Sequence, residues 1–273
     1  MADILSNTIK IDSNHIVDIK TVQSSAIKIL VESLKEILTD ANFIIDENGI
    51  KLIAMDSTHS VLVYLKLDSD KFESFFCKNK IKIGVSMINL YKLIKTITTN
   101  DTLTFFIDGN NTNVLGIKIY NEVKNTQTVY KLNLLDISDE DISIPPAEFD
   151  TELTLPSTEF QKIIRDMTNI GTLTEIKSIG SILEFKCDGD YASQTTTLGE
   201  TQNCLQFKQN REPDYTIQGV FSLKYLSLFT KCTNLCNQIQ LYIKNDYPLI
   251  IQYTVASLGI IKLCLAPNIE NDE

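Results

Sequence analysis

The chain has 273 residues, 43% hydrophobic and 22% charged with only ten glycines and six prolines, which excludes disordered and fibrous classes and suits one large domain or two ordinary ones. With 25 basic against 35 acidic side chains, the formal charge of −10 repels nucleic acid globally, so phosphate binding requires bases gathered on one surface. No run approaches the ~18 to 20 unbroken apolar residues of a membrane span, and the N-terminal MADILSNTIKIDSNH lacks the pattern of a secretory signal; a reducing compartment is expected.

Helical spacing appears first at Ser24 to Leu38, where Ile27, Leu30, Leu34, Ile37 and Leu38 recur at three- and four-residue steps. Alternating β-branched runs then predict strands at 42–45, 50–54, 61–67 and 81–85. Asp46-Glu-Asn-Gly49 joins the first two as a hairpin, because Asn and Gly accept positive φ at little cost. A second helix is predicted at Met87 to Ile97 with Leu90, Leu93, Ile94 and Ile97 as its stripe, followed by strands at 102–107, 114–120 and 129–135. The turn Asp108-Gly-Asn-Asn111 links the first two of these.

Residues 136–150 hold six acids, no base and Pro145-Pro146, which reads as an extended connector. Its Ile137, Ile142, Ile144 and Phe149 point to contact with a domain surface. Pro156-Ser-Thr-Glu159 opens a third helix, with Ser157 or Thr158 as cap and Phe160, Ile163, Ile164 and Met167 as its face. Strands follow at 176–178, 182–186 and 216–221. A fourth helix is predicted at Leu223 to Cys232, offering Tyr225, Leu228, Phe229 and Cys232 to the core, then strands at 239–244, 249–254 and 259–265. The third helix starts 132 residues after the first, and the fourth 136 after the second. This repeat argues for two similar α+β domains.

Each predicted helix carries two bases spaced three or seven apart: Lys28 and Lys35, Lys92 and Lys95, Lys162 and Arg165, Lys224 and Lys231. Both spacings keep the pair on one helix face. Solvated lysines on exposed helices are common, and Glu32, Glu159 and Asp166 lie beside these. Four such pairs in so acidic a chain equally fit a surface that meets a phosphate backbone without reading sequence.

Enzymatic signatures are missing: there is no phosphate-binding or dinucleotide glycine loop, no His-Glu-x-x-His helix and no Gly-x-Ser-x-Gly elbow. Asp56, Ser57 and His59 place an acid, a hydroxyl and an imidazole in one turn, but catalytic triads converge through the fold rather than by adjacency. Backbone satisfaction of Asp and Ser in the turn is the simpler reading. Cys77, Cys187, Cys204, Cys232, Cys236 and Cys264 are scattered, and His15 and His59 are the sole histidines, so no metal or cofactor is expected.

Several long segments resemble the proliferating cell nuclear antigen family of sliding clamps: Ile50 to Leu65 (IKLIAMDSTHSVLVYL), Glu159 to Asp166, Leu223 to Lys231, Tyr247 to Tyr253 and Leu263 to Glu270. The similarity runs in order from about Ile16 to Glu270. It implies a two-domain α+β DNA clamp with helices on the inner face and antiparallel sheets outside. By that resemblance, residues 1–15 are an extension, 16–135 the first clamp domain, 136–150 the interdomain connector, 151–267 the second and 268–273 an acidic tail. Three copies would close head to tail around double-stranded DNA, with the eight helix bases facing it. The ring would serve as a non-enzymatic processivity factor for a DNA polymerase. Its further partners would be a clamp loader and PIP-box proteins such as ligase and flap nuclease. Met55, His59, Leu62, Ile142, Ile144, Pro145, Pro248, Ala266, Pro267 and Ile269 match the family's peptide groove.

The chain departs from the family at Ser60, where a small apolar residue is usual, at Cys264 in place of an aromatic, and at Asn268 in place of a base. Ser178-Ile-Gly-Ser181 replaces the loop that carries the ubiquitin-modified lysine of eukaryotic clamps. Abundant Ile, Asn and Lys suggest an AT-rich genome such as that of a large DNA virus, which places the protein in the nucleus or at a cytoplasmic replication site. A subunit of a heterotrimeric checkpoint-type clamp and a monomeric factor holding DNA by charge alone are the alternatives.

Overall fold

The computed structural model describes residues 14–138, 142, 148–202, 204–208 and 216–268. The first half contains β1 (His15–Thr21), α1 (Ser24–Leu34), β2 (Asp40–Asp46), β3 (Gly49–Met55), β4 (Val61–Asp68), β5 (Ser74–Cys77), β6 (Ile81–Ser86), α2 (Met87–Ile94), β7 (Asp101–Asp108), β8 (Asn111–Asn121) and β9 (Thr126–Asn133). The second contains β10 (Thr151–Pro156), α3 (Ser157–Thr168), β11 (Leu173–Ile179), β12 (Ile182–Asp188), β13 (Ser193–Gly199), β14 (Gln206–Phe207), β15 (Thr216–Ser222), α4 (Leu223–Phe229), β16 (Gln238–Ile243), β17 (Leu249–Val255) and β18 (Gly259–Leu265).

Both predicted hairpins form. Asp46 pairs with Gly49 across Glu47-Asn48, and the Asn48 amide donates to the Asp46 carboxylate at 2.8 Å. Gly49 has φ +138°, and a Cβ there would stand 1.9 Å from the Leu67 carbonyl oxygen, so this turn admits no side chain. Asp108 faces Asn111 in the same way.

The strands form three sheets, ordered β5-β1-β7-β8-β9, β14-β10-β16-β17-β18-β4-β3-β2-β6 and β13-β12-β11-β15. The nine-stranded sheet belongs to both halves, because β18 pairs with β4 from Gly259↔Leu67 to Leu265↔Val61. Alternation sets its faces: Val61, Val63, Leu65 and Leu67 are buried, while Leu62, Tyr64 and Lys66 stand on the other side. The four helices pack as α1 on α2 and α3 on α4, and α1 also meets the 3-10 turn Thr230–Leu235. Leu34, Leu52, Leu65, Met87 and Ile94 in one half, and Phe160, Phe185, Phe221, Phe229 and Tyr253 in the other, are almost wholly enclosed. Each such side chain contributes ~1.5–3 kcal/mol of burial.

All four helix predictions change, α2 ending at Ile94 with Ile97 still buried beyond it. α1 stops at Leu34, after which the Ile37 amide takes the tighter bond to Leu34 while Leu38 remains in the core. Ser157 does not cap α3; its hydroxyl donates across to the Cys236 carbonyl at 2.7 Å, and Pro156 holds the cap position. The fourth helix ends at Phe229 and tightens into Thr230–Leu235. There the hydroxyls of Thr230 and Thr233 donate back to the carbonyls of Ser227 (2.8 Å) and Thr230 (2.6 Å).

Candidate functional site

The eight bases all stand on the helical layer, in different states. Lys92, Lys95, Lys162, Lys224 and Lys231 are exposed, as is Arg165, whose guanidinium lies 3.3 Å from Asp166. The α1 pair is committed to its neighbours. Lys28 donates to the Ile97 carbonyl at 2.7 Å, and Lys35 pairs with Glu36 while its ammonium sits 4.9 Å above the Tyr91 ring. Lys35 and Lys95 are the C-cap residues of α1 and α2, where a cation complements the helix dipole.

On the opposite face of the nine-stranded sheet, the registers Met55↔Leu62, Leu62↔Cys264, Cys264↔Ile250 and Ile250↔Tyr242 build one cross-strand row. Pro248 precedes β17, and Ala266 and Pro267 follow β18, with the Ala266 amide donating to the Ser60 carbonyl at 3.1 Å. The predicted groove residues Met55, Leu62, Pro248, Ala266 and Pro267 therefore share one surface, and all but the exposed Ala266 are half-buried. Ile142 is half-buried; Ile144, Pro145 and Ile269 lie outside the described residues. The described ends of the connector rest at opposite flanks of this sheet. At one end the Leu135 amide donates to Gly84, and at the other Phe149 packs on Tyr242.

Three aromatic side chains that the sequence did not assign to the predicted groove join this surface, Phe149 making the connector contact expected of it. The Phe149 ring centroid is 5.5 Å from that of Tyr242 and 5.6 Å from that of Tyr247, with the Lys262 ammonium 5.4 Å from Tyr242 and that of Lys244 5.7 Å from Tyr247. Aromatic bulk thus stands two strands over from Cys264, across Ile250, in the row where the resemblance leads one to expect a ring. The signal was present as aromatics at both ends of the connector, but only strand register brings them together. Burial pushes the Cys264 thiol up to about 11, so it fills space as a small apolar group rather than acting as a nucleophile.

The turn between β3 and β4 stands at one end of this cross-strand row. Its Asp56 carboxylate accepts from the amides of Val61 (2.7 Å), Ser60 (2.8 Å) and Thr58 (3.3 Å) and from the Thr58 hydroxyl. Burial raises this carboxyl, but those bonds outweigh it and hold it below its ordinary value. His59 has φ +55° and an exposed ring, and Ser57 is exposed too. Among the described residues nothing partners the His59 imidazole. The acid, hydroxyl and imidazole do not converge as a catalytic unit, because the carboxylate is spent on the backbone. Among the described residues no three His, Cys, Asp or Glu side chains gather as a metal site, and no helix is long and apolar enough to cross a membrane.

The sheet edges differ. The amide of Gln218 on β15 is bonded by the Asn245 side chain, and the Asn268 amide donates to Val220 on the same strand. β6 is met by Leu135, and β14 is only two residues long. β9 and β13, eight and seven residues long, have no described strand on their outer edges.

Comparison with known proteins accounts for this architecture. Residues 16–142 match the family described as "Proliferating cell nuclear antigen, N-terminal domain", and residues 143–268 match "Proliferating cell nuclear antigen, C-terminal domain". A "Probable DNA polymerase sliding clamp 1" from Paramecium bursaria Chlorella virus 1 is 36% identical over 260 residues, covering 94% of this chain and 98% of that one. The shared nine-stranded sheet, the paired helices of each half and the two sequence matches establish a two-domain α+β clamp fold, and the chain belongs to the proliferating cell nuclear antigen family.

Proposed function

We propose that this protein is a DNA sliding clamp: three copies close head to tail around duplex DNA and act, without enzymatic chemistry, as a processivity factor for a DNA polymerase at a site of viral DNA synthesis. The observation that carries the reading is the pair of long unpartnered edges, β9 in one half and β13 in the other. Open edges invite association, and this chain blocks β15 with Asn245 and Asn268 while leaving these two. An interface between unlike edges is heterologous and closes into a ring when the rotation permits. The similarity to the viral clamp supports the same role.

In that ring the helical layer faces the DNA. Lys92, Lys95, Lys162, Arg165, Lys224 and Lys231 supply phosphate contacts, and Lys28 and Lys35 brace α1 against α2. Weak, sequence-independent contacts permit sliding while enclosure prevents loss. The row from Met55 to Tyr242, ended by His59 and flanked by Pro248, Ala266 and Pro267, receives a helical-turn peptide with aromatic plugs from a polymerase, clamp loader, ligase or flap nuclease. The connector's Ile142, Ile144 and Pro145, together with Ile269, complete that groove.

Retention on DNA tests this function. Once loaded, the protein should remain on nicked circular DNA in high salt and run off when the circle is cut. A factor held by charge alone would leave both forms equally as salt rises, and that outcome would refute the reading.

A further inference from the structure

The Thr58 hydroxyl is a junction. Its oxygen lies 2.8 Å from the Tyr225 phenol oxygen and 3.1 Å from the Ser60 hydroxyl, and it also bonds the Asp56 carboxylate. A hydroxyl offers one proton and two lone pairs, whereas an ionised carboxylate only accepts. Thr58 therefore donates to Asp56 and Tyr225 donates to Thr58, while the Ser60 hydroxyl stands beside both the Thr58 and the Tyr225 oxygens.

Tyr225 belongs to α4 in the second half, and Thr58 to the β3–β4 turn in the first. Among the described residues no backbone hydrogen bond joins α4 to that turn, so the hydroxyls make the polar link between them. The same turn carries His59 in the left-handed region and presents the Ser60 carbonyl to Ala266. What fixes this turn consequently fixes the end wall of the proposed groove. Ser60, the departure from the family's apolar residue, has its hydroxyl engaged within the turn.

We propose that Tyr225 is a positioning residue for partner binding: from the helical layer its hydroxyl holds Thr58, and through Thr58 the turn that presents His59, with the Ser60 hydroxyl beside both. This rests on the groove reading above.

The test uses full-length protein and a labelled synthetic peptide whose helical turn ends in two adjacent phenylalanines. Tyr225→Phe keeps the ring and removes one hydroxyl. Peptide affinity should fall about fivefold, the worth of one hydrogen bond, with faster amide exchange at Ser60 and Val61 and an almost unchanged melting temperature. In a Thr58→Val background, which removes the main partner and leaves the phenol only the Ser60 hydroxyl, Tyr225→Phe should cost much less than it does alone. Should Tyr225→Phe fail to fold, Thr58→Val asks the same question from the other side. His59→Ala separates the two layers of the argument. If it weakens the peptide while Tyr225→Phe changes neither affinity nor exchange, the positioning role is overturned and the groove stands. If His59→Ala leaves affinity unchanged, the groove reading fails and the positioning role with it.

Discussion

Asp56 does for the β3–β4 turn what a neighbouring strand does elsewhere, accepting from three amides and a hydroxyl with a side chain only 8% exposed. Asp56→Ala should cost about 3 kcal/mol in urea unfolding, because bonds to a charged acceptor are lost and buried amides are left without partners. A loss under about 0.5 kcal/mol would contradict that role, being the size of an ordinary surface change. The carboxyl is held below its ordinary 3.8, so its contribution is complete above that value and disappears as pH falls through the lower folded value. Amide exchange at Ser60 and Val61 should accelerate in that acid range in the native sequence and be fast at all pH values in Asp56→Asn. His59→Gly removes the ring and relieves a left-handed backbone, so stability should rise by about 0.5 kcal/mol while peptide binding is lost. Equal affinity in that variant would remove His59 from the groove.

Among the elements, edge strands separate what the sequence displays from what it hides. β4 and β17 alternate cleanly because one face is packed, and both were legible as Val61-Leu-Val-Tyr-Leu and Leu249-Ile-Ile-Gln-Tyr. β13 reads Ser-Gln-Thr-Thr-Thr-Leu-Gly and was not legible, since within this chain only Leu198 brings an apolar side chain to the core and no apolar period is required. β1 carries buried Val17 and Ile19 but was not read as a strand, although all of it except His15 lies within the first predicted clamp domain. The surface proposed as a groove is drawn from both kinds of signal: Met55, Leu62, Tyr247, Pro248 and Ala266-Pro267 lie in segments that resemble the family, whereas Tyr242 and Phe149 join Tyr247 only through strand register and a connector end. The α1 bases were legible as a same-face pair, but not their capture by Ile97 and Glu36. On β9, Val129 is 45% exposed, so an acid there does not disturb the monomer's core. Val129→Asp should leave far-ultraviolet circular dichroism and melting of the isolated chain unchanged and weaken self-association at least tenfold by sedimentation. Intact association in that variant would exclude β9 from the interface.

For the whole molecule, the helical layer and the cross-strand row proposed as a groove lie on opposite faces of one continuous nine-stranded sheet, so neither blocks the other. Acids dominate the chain as a whole while exposed bases remain on the helices, a charge distribution that suits the proposed DNA contact on that one surface. Neutralising Lys92, Lys95, Lys162 and Arg165 together should weaken DNA-stimulated polymerase synthesis and flatten its salt dependence, with peptide affinity unaltered. An unchanged salt slope would remove these bases from the DNA surface. All of this depends on closure of the ring, which light scattering of the purified chain measures directly. A 30.8 kDa protomer should give a mass of three chains, ~92 kDa, at micromolar concentration; a monomer mass that does not change with concentration would contradict the account.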